Sequence, residues 1–223
     1  MIIAKKSLGQ NFLIDTNIIN KILDLSKIKD ENILEIGPGT GNLTSQILKR
    51  FPKKLTVIEK DVDLIKLLKN SFEGKVNIIH NDILKIDVNK LDKEKFTVFG
   101  NLPYNISTEI LCKWIINIDD KNFWFKNLIL MFQKEVADRI IARHNNKKYG
   151  RLSVLVQSRC NVKKLLDAPA SIFSPKPKVD GSVIQLKPIT NYNKINFNNL
   201  EKLLEQSFSS RRKKIKNTLR MHK

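Results

Sequence analysis

Residues 32–51 carry a short apolar strand, a glycine turn and an amphipathic helix in direct succession. NILEI at 32–36 is followed by the turn GPGTG at 37–41 and by the helical pattern of 43–51. This unit is typical of α/β proteins, in which parallel strands alternate with helices. Such sheets bind ligands at the carboxyl ends of their strands, so the turn also predicts where a site lies.

The alternation of strand-like and helix-like segments continues along the chain. Strands are predicted over 32–36, 54–61, 75–82, 95–101, 126–133, 152–160 and 181–188, and helices over 16–26, 43–51, 63–72, 107–116, 134–144 and 197–208. This order predicts an α/β fold with a doubly wound, mostly parallel Rossmann-like sheet and an antiparallel edge. After Pro188 the pattern is helix only. We therefore expect a main domain at 1–188 and a small, basic helical domain at 189–223.

The surplus of basic residues indicates a polyanionic partner. Lys and Arg number 41 against 22 Asp and Glu, which gives a formal net charge of +19. Compositional bias is the alternative, but bias alone would scatter these residues. Instead, the runs 139–166 and 211–223 each contain many basic residues and no acidic one. The predicted phosphate contacts are Arg139, Arg143, Lys147, Lys148, Arg151, Arg211, Arg212, Lys213 and Lys214.

Several protein classes are disfavoured by what the sequence lacks. No apolar run approaches the roughly 18 residues of a membrane helix, and the N-terminus has no signal-peptide pattern. Cys112 and Cys160 have no CxxC partner, which favours reduced thiols. The three histidines share no ligand spacing with these cysteines. We therefore expect a cytoplasmic protein, monomeric and without a metal ion.

The glycine spacing argues against a dinucleotide cofactor. The fingerprint G-x-G-x-x-G would need a glycine where Asn42 stands, and the turn contains no basic residue. Glu35 just before the turn would repel a pyrophosphate and favour an ammonium group. S-adenosylmethionine carries an ammonium and no phosphate, so we expect it to lie against Gly37 and Gly39. A structural turn without a ligand is the alternative.

Two further predicted strands end in an acidic residue. Glu59 ends the second strand, and its carboxylate is suited to accept hydrogen bonds from ribose hydroxyls. Asp82 ends the third, where it is suited to accept from the exocyclic amine of an adenine, with Ile83 packing on the ring. Each acid alone would more often cap a helix. Their joint position beside the glycine turn favours a cofactor site.

The fourth strand ends in Asn101-Leu102-Pro103-Tyr104. An aromatic amine is a poor nucleophile because its lone pair is delocalised into the ring. An amide oxygen and a backbone carbonyl that accept its two N–H bonds would localise that pair, and Tyr104 offers a face for base stacking. Pro103 has no backbone N–H, which keeps the turn rich in acceptors. An ordinary Asn-Leu-Pro turn is the alternative.

Taken together, these motifs resemble the ribosomal RNA adenine N6,N6-dimethyltransferases over almost the whole chain. The similar segments are LGQNFLID (8–15), LEIGPGTGNLT (34–44), VIEKD (57–61), NLPYNIS (101–107), FSPKPKVDGSV (173–183) and FSSRRKKIKNTL (208–219). The resemblance implies S-adenosylmethionine contacts by Asn11, Leu13, Gly37, Glu59, Asp82 and Asn101. It also implies that Asn101 meets the target amine and that Tyr104 and Phe173 sandwich the target adenine.

Within that family, NLPY and the basic run at 211–214 favour the branch that dimethylates two adjacent adenosines of small-subunit ribosomal RNA. The branch that acts on large-subunit RNA and a non-catalytic assembly or transcription factor are the alternatives, followed by a nicotinamide dehydrogenase. Two departures stand out. Gly181 occupies a position where the family usually has serine. The family's C-terminal domain usually continues past the basic helix, so we expect here either a shortened domain or a truncated one.

The two basic runs predict a strong salt dependence of RNA binding. Affinity should fall log-linearly with salt concentration, because each neutralised phosphate releases counterions. Replacing Arg211, Arg212, Lys213 and Lys214 by glutamine should flatten that slope in filter-binding titrations. An unchanged slope would mean that this segment does not contact RNA.

Overall fold

The computed structural model describes residues 4–118, 123–189, 196–210 and Thr218. The strands are β1 (Phe12–Leu13), β2 (Asn32–Ile36), β3 (Lys54–Glu59), β4 (Asn77–His80), β5 (Phe96–Asn101), β6 (Phe125–Gln133), β7 (Cys160–Ala168), β8 (Phe173–Ser174) and β9 (Gly181–Pro188). The α-helices are α1 (Thr16–Leu23), α2 (Asn42–Leu48), α3 (Val62–Ser71), α4 (Ser107–Ile116), α5 (Lys134–Ile141), α6 (Arg151–Gln157) and α7 (Phe197–Ser207).

Seven strands form one sheet in the order β4-β3-β2-β5-β6-β9-β7, and β1 pairs with β8 separately. The five strands β4, β3, β2, β5 and β6 are parallel to one another. Strand β9 runs antiparallel to both of its neighbours, β6 and β7. Along the chain, β3 and β4 are added on one side of β2, and β5 and β6 are then added on its other side. The direction in which strands are added therefore reverses after β4. This confirms the predicted doubly wound, mostly parallel sheet with an antiparallel edge.

The sheet is covered on both faces because its central strands are mostly apolar. All five residues of β2 are buried. Helices α1 and α2 contribute Ile19 and Ile47 to the core on one face. On the other face, Trp114 of α4, Ile140 of α5 and Leu155 of α6 belong to a single buried cluster. A strand buried on both sides reads as a continuous apolar run, which is why these strands were readable from sequence.

The predicted strand over 152–160 is wrong. Helix α6 occupies most of that segment, and the antiparallel edge strand β7 follows it. The segment contains Val154 and Val156, whose β-branched side chains favour a strand. However, the Gln157 amide donates 2.8 Å hydrogen bonds to the carbonyls of Ile140 and Ala142, where α5 ends. Packing and hydrogen bonding against α5 therefore outweigh local propensity.

Helix α7 packs against α6. Its Leu204 is buried in the same core cluster as α4 to α6, and Arg151 reaches Glu205 at 3.2 Å and Glu201 at 3.6 Å. The domain boundary after Pro188 stays a prediction. The predicted phosphate contacts that lie outside the described residues are Arg211, Arg212, Lys213 and Lys214.

None of the described helices is long and apolar enough to cross a membrane. Within the same ranges, no group of three or more His, Cys, Asp or Glu side chains converges in a way that would hold a metal ion. Both cysteines are free thiols, Cys160 buried and Cys112 half-buried.

Candidate active site

An open cleft lies at the carboxyl edge of the parallel strands. It holds about 1190 Å³ of space between protein atoms, part of it open to solvent. The ends of β2, β3, β4 and β5 form its floor, and the N-terminal segment 7–13 forms one wall. Because the strand order reverses between β2 and β5, the cleft lies where doubly wound sheets bind ligands.

Almost every predicted cofactor-binding and catalytic residue lines this one cleft. The predicted cofactor contacts found there are Asn11, Leu13, Gly37, Gly39, Glu59, Asp82, Ile83 and Asn101, and the predicted catalytic residues are Asn101, Leu102, Pro103 and Tyr104. Phe173 is not among the lining residues. Its side chain is 3% exposed and it pairs with Leu13 across β1 and β8. The stacking role of Phe173 stays a prediction.

The glycine turn brings the N-terminal segment close to the sheet. Gly37 and Gly39 have φ values of +64° and +58°, which favour glycine because a Cβ is strained there. A Cβ on Gly39 would also lie 2.8 Å from the Phe12 ring. Asn42, at the start of α2, donates a 2.8 Å hydrogen bond to the carbonyl of Leu13. The turn therefore holds residues 12 and 13 against the cleft.

The Glu59 carboxylate is held in place by the backbone that follows it. Its Oε1 accepts from the N–H groups of Lys60 at 2.8 Å and Asp61 at 2.9 Å. Burial raises the pKa of Glu59, and backbone hydrogen bonds, including one from Gly39, counter part of that rise. The orientation of this carboxylate is thus set by the chain itself.

Asp82 both caps a short 3₁₀ turn and lines the cleft. Its Oδ1 accepts from the Leu84 N–H at 3.0 Å, and its Oδ2 accepts from Lys60 Nζ at 2.8 Å. The Lys60 ammonium lowers the pKa of Asp82, so this acid is charged at neutral pH. The capping alternative and the cleft position are therefore both true of Asp82, and Ile83 beside it is buried.

The Asn101 amide has a defined orientation. Its Nδ2 donates a 2.8 Å hydrogen bond to the backbone carbonyl of Asn11. Because the N–H side of the amide is engaged with the N-terminal segment, Oδ1 is the atom left to accept a hydrogen bond in the cleft. The N-terminal segment therefore orients the amide that the sequence indicates as catalytic.

Three polar contacts that the sequence did not indicate hold the N-terminal segment in place. Lys5 Nζ lies 2.6 Å from Asp61 and 2.8 Å from Asp63, and Gln10 Nε2 donates to Asp61 at 2.8 Å. Burial disfavours the Asp61 charge, but the bonds from Lys5 and Gln10 outweigh burial and lower its pKa. No local spacing signals a contact between residues 56 apart. The position of Asp61 at the start of α3 was the only sequence cue.

Glu35 is an almost fully buried acid at the floor of the cleft, 1% exposed. The Thr44 hydroxyl donates to its Oε2 at 2.7 Å. Burial raises the pKa of Glu35 to about 8, and the nearby Glu59 charge acts in the same direction. The acid is therefore largely protonated at neutral pH. A ligand ammonium beside it would favour loss of that proton.

The basic run 139–166 does not form one surface. Arg139 pairs with Glu135, and Lys148 pairs with Asp138 at 2.6 Å. Arg143 and Lys147, in contrast, are exposed and form no ion pair with a carboxylate in the described part of the chain. One basic residue of the run is buried and so adds no charge to the surface. The Arg159 guanidinium lies inside the protein, 4.3 Å from the Phe197 ring centroid.

Comparison with known proteins identifies the family of this chain. The family described as "Ribosomal RNA adenine dimethylase" matches residues 2–223. The chain belongs to this family. The dimethylase is 56% identical over 214 residues to the ribosomal RNA small subunit methyltransferase A of Pelagibacter ubique (strain HTCC1062), covering 96% of this chain and 81% of that protein. It is an S-adenosylmethionine-dependent methyltransferase.

Solved structures agree with this assignment. The dimethylase resembles a dimethyladenosine transferase from Plasmodium falciparum with a TM-score of 0.82 and 34% identity, covering 93% of this chain and 74% of that one. It resembles the 23S rRNA methyltransferase ErmE with a TM-score of 0.75 and 23% identity, covering 95% and 84%. The second likeness shows the fold alone. Membership of the family removes the dehydrogenase alternative.

The raised pKa of Glu35 predicts how stability changes with pH. Unfolded Glu35 titrates near its ordinary value, about 4.3, whereas the folded group titrates near 8. The folded state therefore binds an extra proton between these values, and its stability falls as pH rises through them. Glu35→Gln keeps an acceptor for Thr44 and removes this titration. At pH 8.5 it should be more stable than the wild type by about 1–4 kcal/mol, with little difference near pH 4.5.

The measurement is urea denaturation across this pH range. Glu73→Gln is the matched control, because it removes one carboxylate from an exposed site. If the difference between wild type and Glu35→Gln does not change with pH, Glu35 does not titrate anomalously.

Proposed function

We propose that the dimethylase transfers methyl groups from S-adenosylmethionine to N6 of two adjacent adenosines in small-subunit ribosomal RNA, late in ribosome biogenesis. The observation that carries this proposal is the Asn101 amide, oriented with its oxygen available in the cleft. The name of the Pelagibacter relative, a small subunit methyltransferase, supports the choice of RNA. Immature small subunits are the proposed partner.

The turn after β5 supplies acceptors for the target amine. The Pro103 carbonyl already accepts from the N–H groups of Ile106 at 3.1 Å and Ser107 at 3.0 Å. No hydrogen bond to the Leu102 carbonyl is found among the residues that the structure describes. The Leu102 carbonyl and Asn101 Oδ1 are therefore the pair proposed to accept the two N–H bonds of the target amine. Both bonds localise the nitrogen lone pair for attack.

The cofactor residues have complementary proposed roles. When bound, S-adenosylmethionine supplies a methyl group activated by its positive sulfur. Glu59 accepts from the ribose hydroxyls, and Asp82 accepts from the adenine amine, with Ile83 against the ring. Asn11 and Leu13 close the cleft from the N-terminal side, and Gly37 and Gly39 let the backbone approach closely.

The proposed methyl transfer depends mainly on the position in which the cleft holds the target amine. The target N6 forms a bond to the methyl carbon as the carbon–sulfur bond breaks in line with it, and the proton that N6 loses passes to solvent. No strong general base is required, because that proton becomes acidic only as the N–C bond forms. The residues of the cleft therefore act by holding the amine in line, which reduces the entropic cost of the reaction.

The target adenine must leave the RNA stack before its amine enters the cleft. Tyr104 lines the cleft and is proposed as one stacking platform. Phe173 is proposed as the second, which requires that its ring become uncovered, since it is buried in this structure. A purely structural role in the core is the competing explanation for Phe173.

The remaining proposals concern the RNA contacts, the oligomeric state and the cellular location of the protein. Arg143 and Lys147 are exposed on the surface and are proposed to contact phosphates directly. Arg139, Lys148 and Arg151 would first exchange a carboxylate partner for a phosphate. We further propose that the dimethylase acts as a monomer in the cytoplasm.

Incubation with labelled S-adenosylmethionine and immature small subunits tests the function. Nucleoside digestion should yield N6,N6-dimethyladenosine. Asn101→Ala should slow its formation by about a hundredfold, in line with the loss of one aligned transition-state hydrogen bond. Label in large subunits instead would favour the large-subunit alternative. Absence of label in any RNA, with the cofactor bound, would favour the non-catalytic factor.

Substitutions at Phe173 separate stacking from packing, because stacking needs a ring and packing needs only volume. We expect Phe173→Leu to lower the free energy of unfolding by about 1–2 kcal/mol, less than a change to alanine would, because leucine fills most of the space of the ring. It should nevertheless slow methylation, by removing about 1–3 kcal/mol of stacking energy. Phe173→Tyr should retain much of the rate. The readouts are urea denaturation and single-turnover methylation. If Phe173→Leu methylates at the wild-type rate, the stacking role is wrong.

A further inference from the structure

Asp61 links the end of β3 to the N-terminal segment. This acid is buried, and its backbone N–H donates to Glu59 Oε1 at 2.9 Å. Its carboxylate accepts from Gln10 Nε2 at 2.8 Å and forms a 2.6 Å ion pair with Lys5. The Lys5 backbone N–H in turn donates to Gln10 Oε1 at 2.8 Å. One buried acid therefore ties residues 5 and 10 to the strand end that carries the proposed ribose acceptor.

The segment anchored in this way leads directly to the Asn101 amide. Asn11 is the next residue along the chain, and its carbonyl accepts the 2.8 Å hydrogen bond from Asn101 Nδ2. Two residues further on, Asn42 donates to the carbonyl of Leu13. Asp61 and Asn42 therefore hold the chain on either side of Asn11, and together they fix the place of its carbonyl.

Helix capping is the simpler role for Asp61, but it does not account for all of its bonds. Asp61 Oδ1 accepts from the Asp63 N–H at 3.0 Å in the first turn of α3, and a cap needs only one such oxygen. The other oxygen, Oδ2, is bonded to Gln10. Lys5 also reaches Asp63, whose side chain is exposed, so Asp61 is its buried partner. The carboxylate thus makes two contacts with the N-terminal segment that capping does not require.

We propose that Asp61 is a positioning residue for the target amine: it holds the N-terminal segment where the Asn11 carbonyl orients the Asn101 amide. This inference rests on the proposed function, in which Asn101 Oδ1 accepts from that amine. Asp61 is not among the residues that line the cleft, so it acts on the reaction only through the segment it holds. Orientation matters because a misplacement of about 1 Å can slow a reaction by about a hundredfold.

Asp61→Ser tests the proposal, because serine is also a good helix cap but has neither the charge nor the second oxygen. We expect the single-turnover methylation rate to fall about tenfold. Lys5→Met removes one of the same contacts and leaves the cap intact. It should slow methylation about threefold in the wild-type background and by less than about 1.5-fold in the Asp61→Ser background.

Lys53→Met is the matched control. Lys53 forms an ion pair of the same length, 2.6 Å, with Glu94, and it lies just before β3, at the end of that strand away from the cleft. Its methylation rate should equal that of the wild type. A rate loss as large as that of Lys5→Met would overturn the proposal, because the effect would then not depend on the N-terminal segment.

A readout independent of catalysis separates this proposal from the proposed function. In ¹⁵N-labelled protein, the Asn101 side-chain amide signals are identified by their loss in Asn101→Ala. Asp61→Ser and Lys5→Met should both shift these signals, although neither side chain hydrogen-bonds to Asn101, and Lys53→Met should not. Such a shift supports the positioning of the amide even if the wild type methylates no RNA, a result that would refute the proposed function alone.

Two outcomes would overturn the positioning role itself. One is an unshifted Asn101 signal in both variants, and the other is a shifted signal with a wild-type methylation rate. If Asp61→Ser folds poorly, Lys5→Met decides the question by the same two measurements, because it leaves the cap of α3 in place.

Discussion

The carboxyl ends of parallel strands meet at one edge of the sheet, and the whole site depends on that constraint. Because β2 has β3 on one side and β5 on the other, the residues that follow these three strands are neighbours in space although they are far apart in sequence. Glu59 and Asn101 come together in this way. The glycine turn after β2 lies between them, where the helices that follow the strands diverge and leave a cleft.

The parts of the site that follow a strand end could be predicted from sequence, because the signal there is local. An apolar run followed by an acid or an amide identifies Glu59, Asp82 and Asn101 without knowledge of the fold. The contacts of Lys5 and Gln10 with Asp61 could not be predicted in this way, since nothing nearby in sequence encodes them. Helix α6 was misassigned for a related reason: its bonds to the end of α5 are tertiary and override its propensity.

The electrostatics of the molecule are divided between its surface and its cleft. The chain as a whole carries a formal net charge of +19, which suits a polyanion. The cleft floor instead contains Glu35 and Glu59, whose pKa values are raised by burial. Burial thus keeps Glu35 largely protonated in the empty cleft, and a cationic donor beside it would favour loss of that proton. The charge of the cleft floor therefore depends on whether the proposed donor is bound.

Two backbone carbonyls of the N-terminal segment orient side chains of the site. The carbonyl of Asn11 accepts from the Asn101 amide, and the carbonyl of Leu13 accepts from Asn42. Backbone carbonyls are present whatever residue stands there, so substitutions at positions 11 and 13 leave both acceptors in the chain. A ligand that lifted residues 11–13 off the cleft would release the Asn101 amide and at the same time remove the proposed donor contacts of Asn11 and Leu13. Such a ligand and the donor would therefore oppose each other through this segment without occupying the same space.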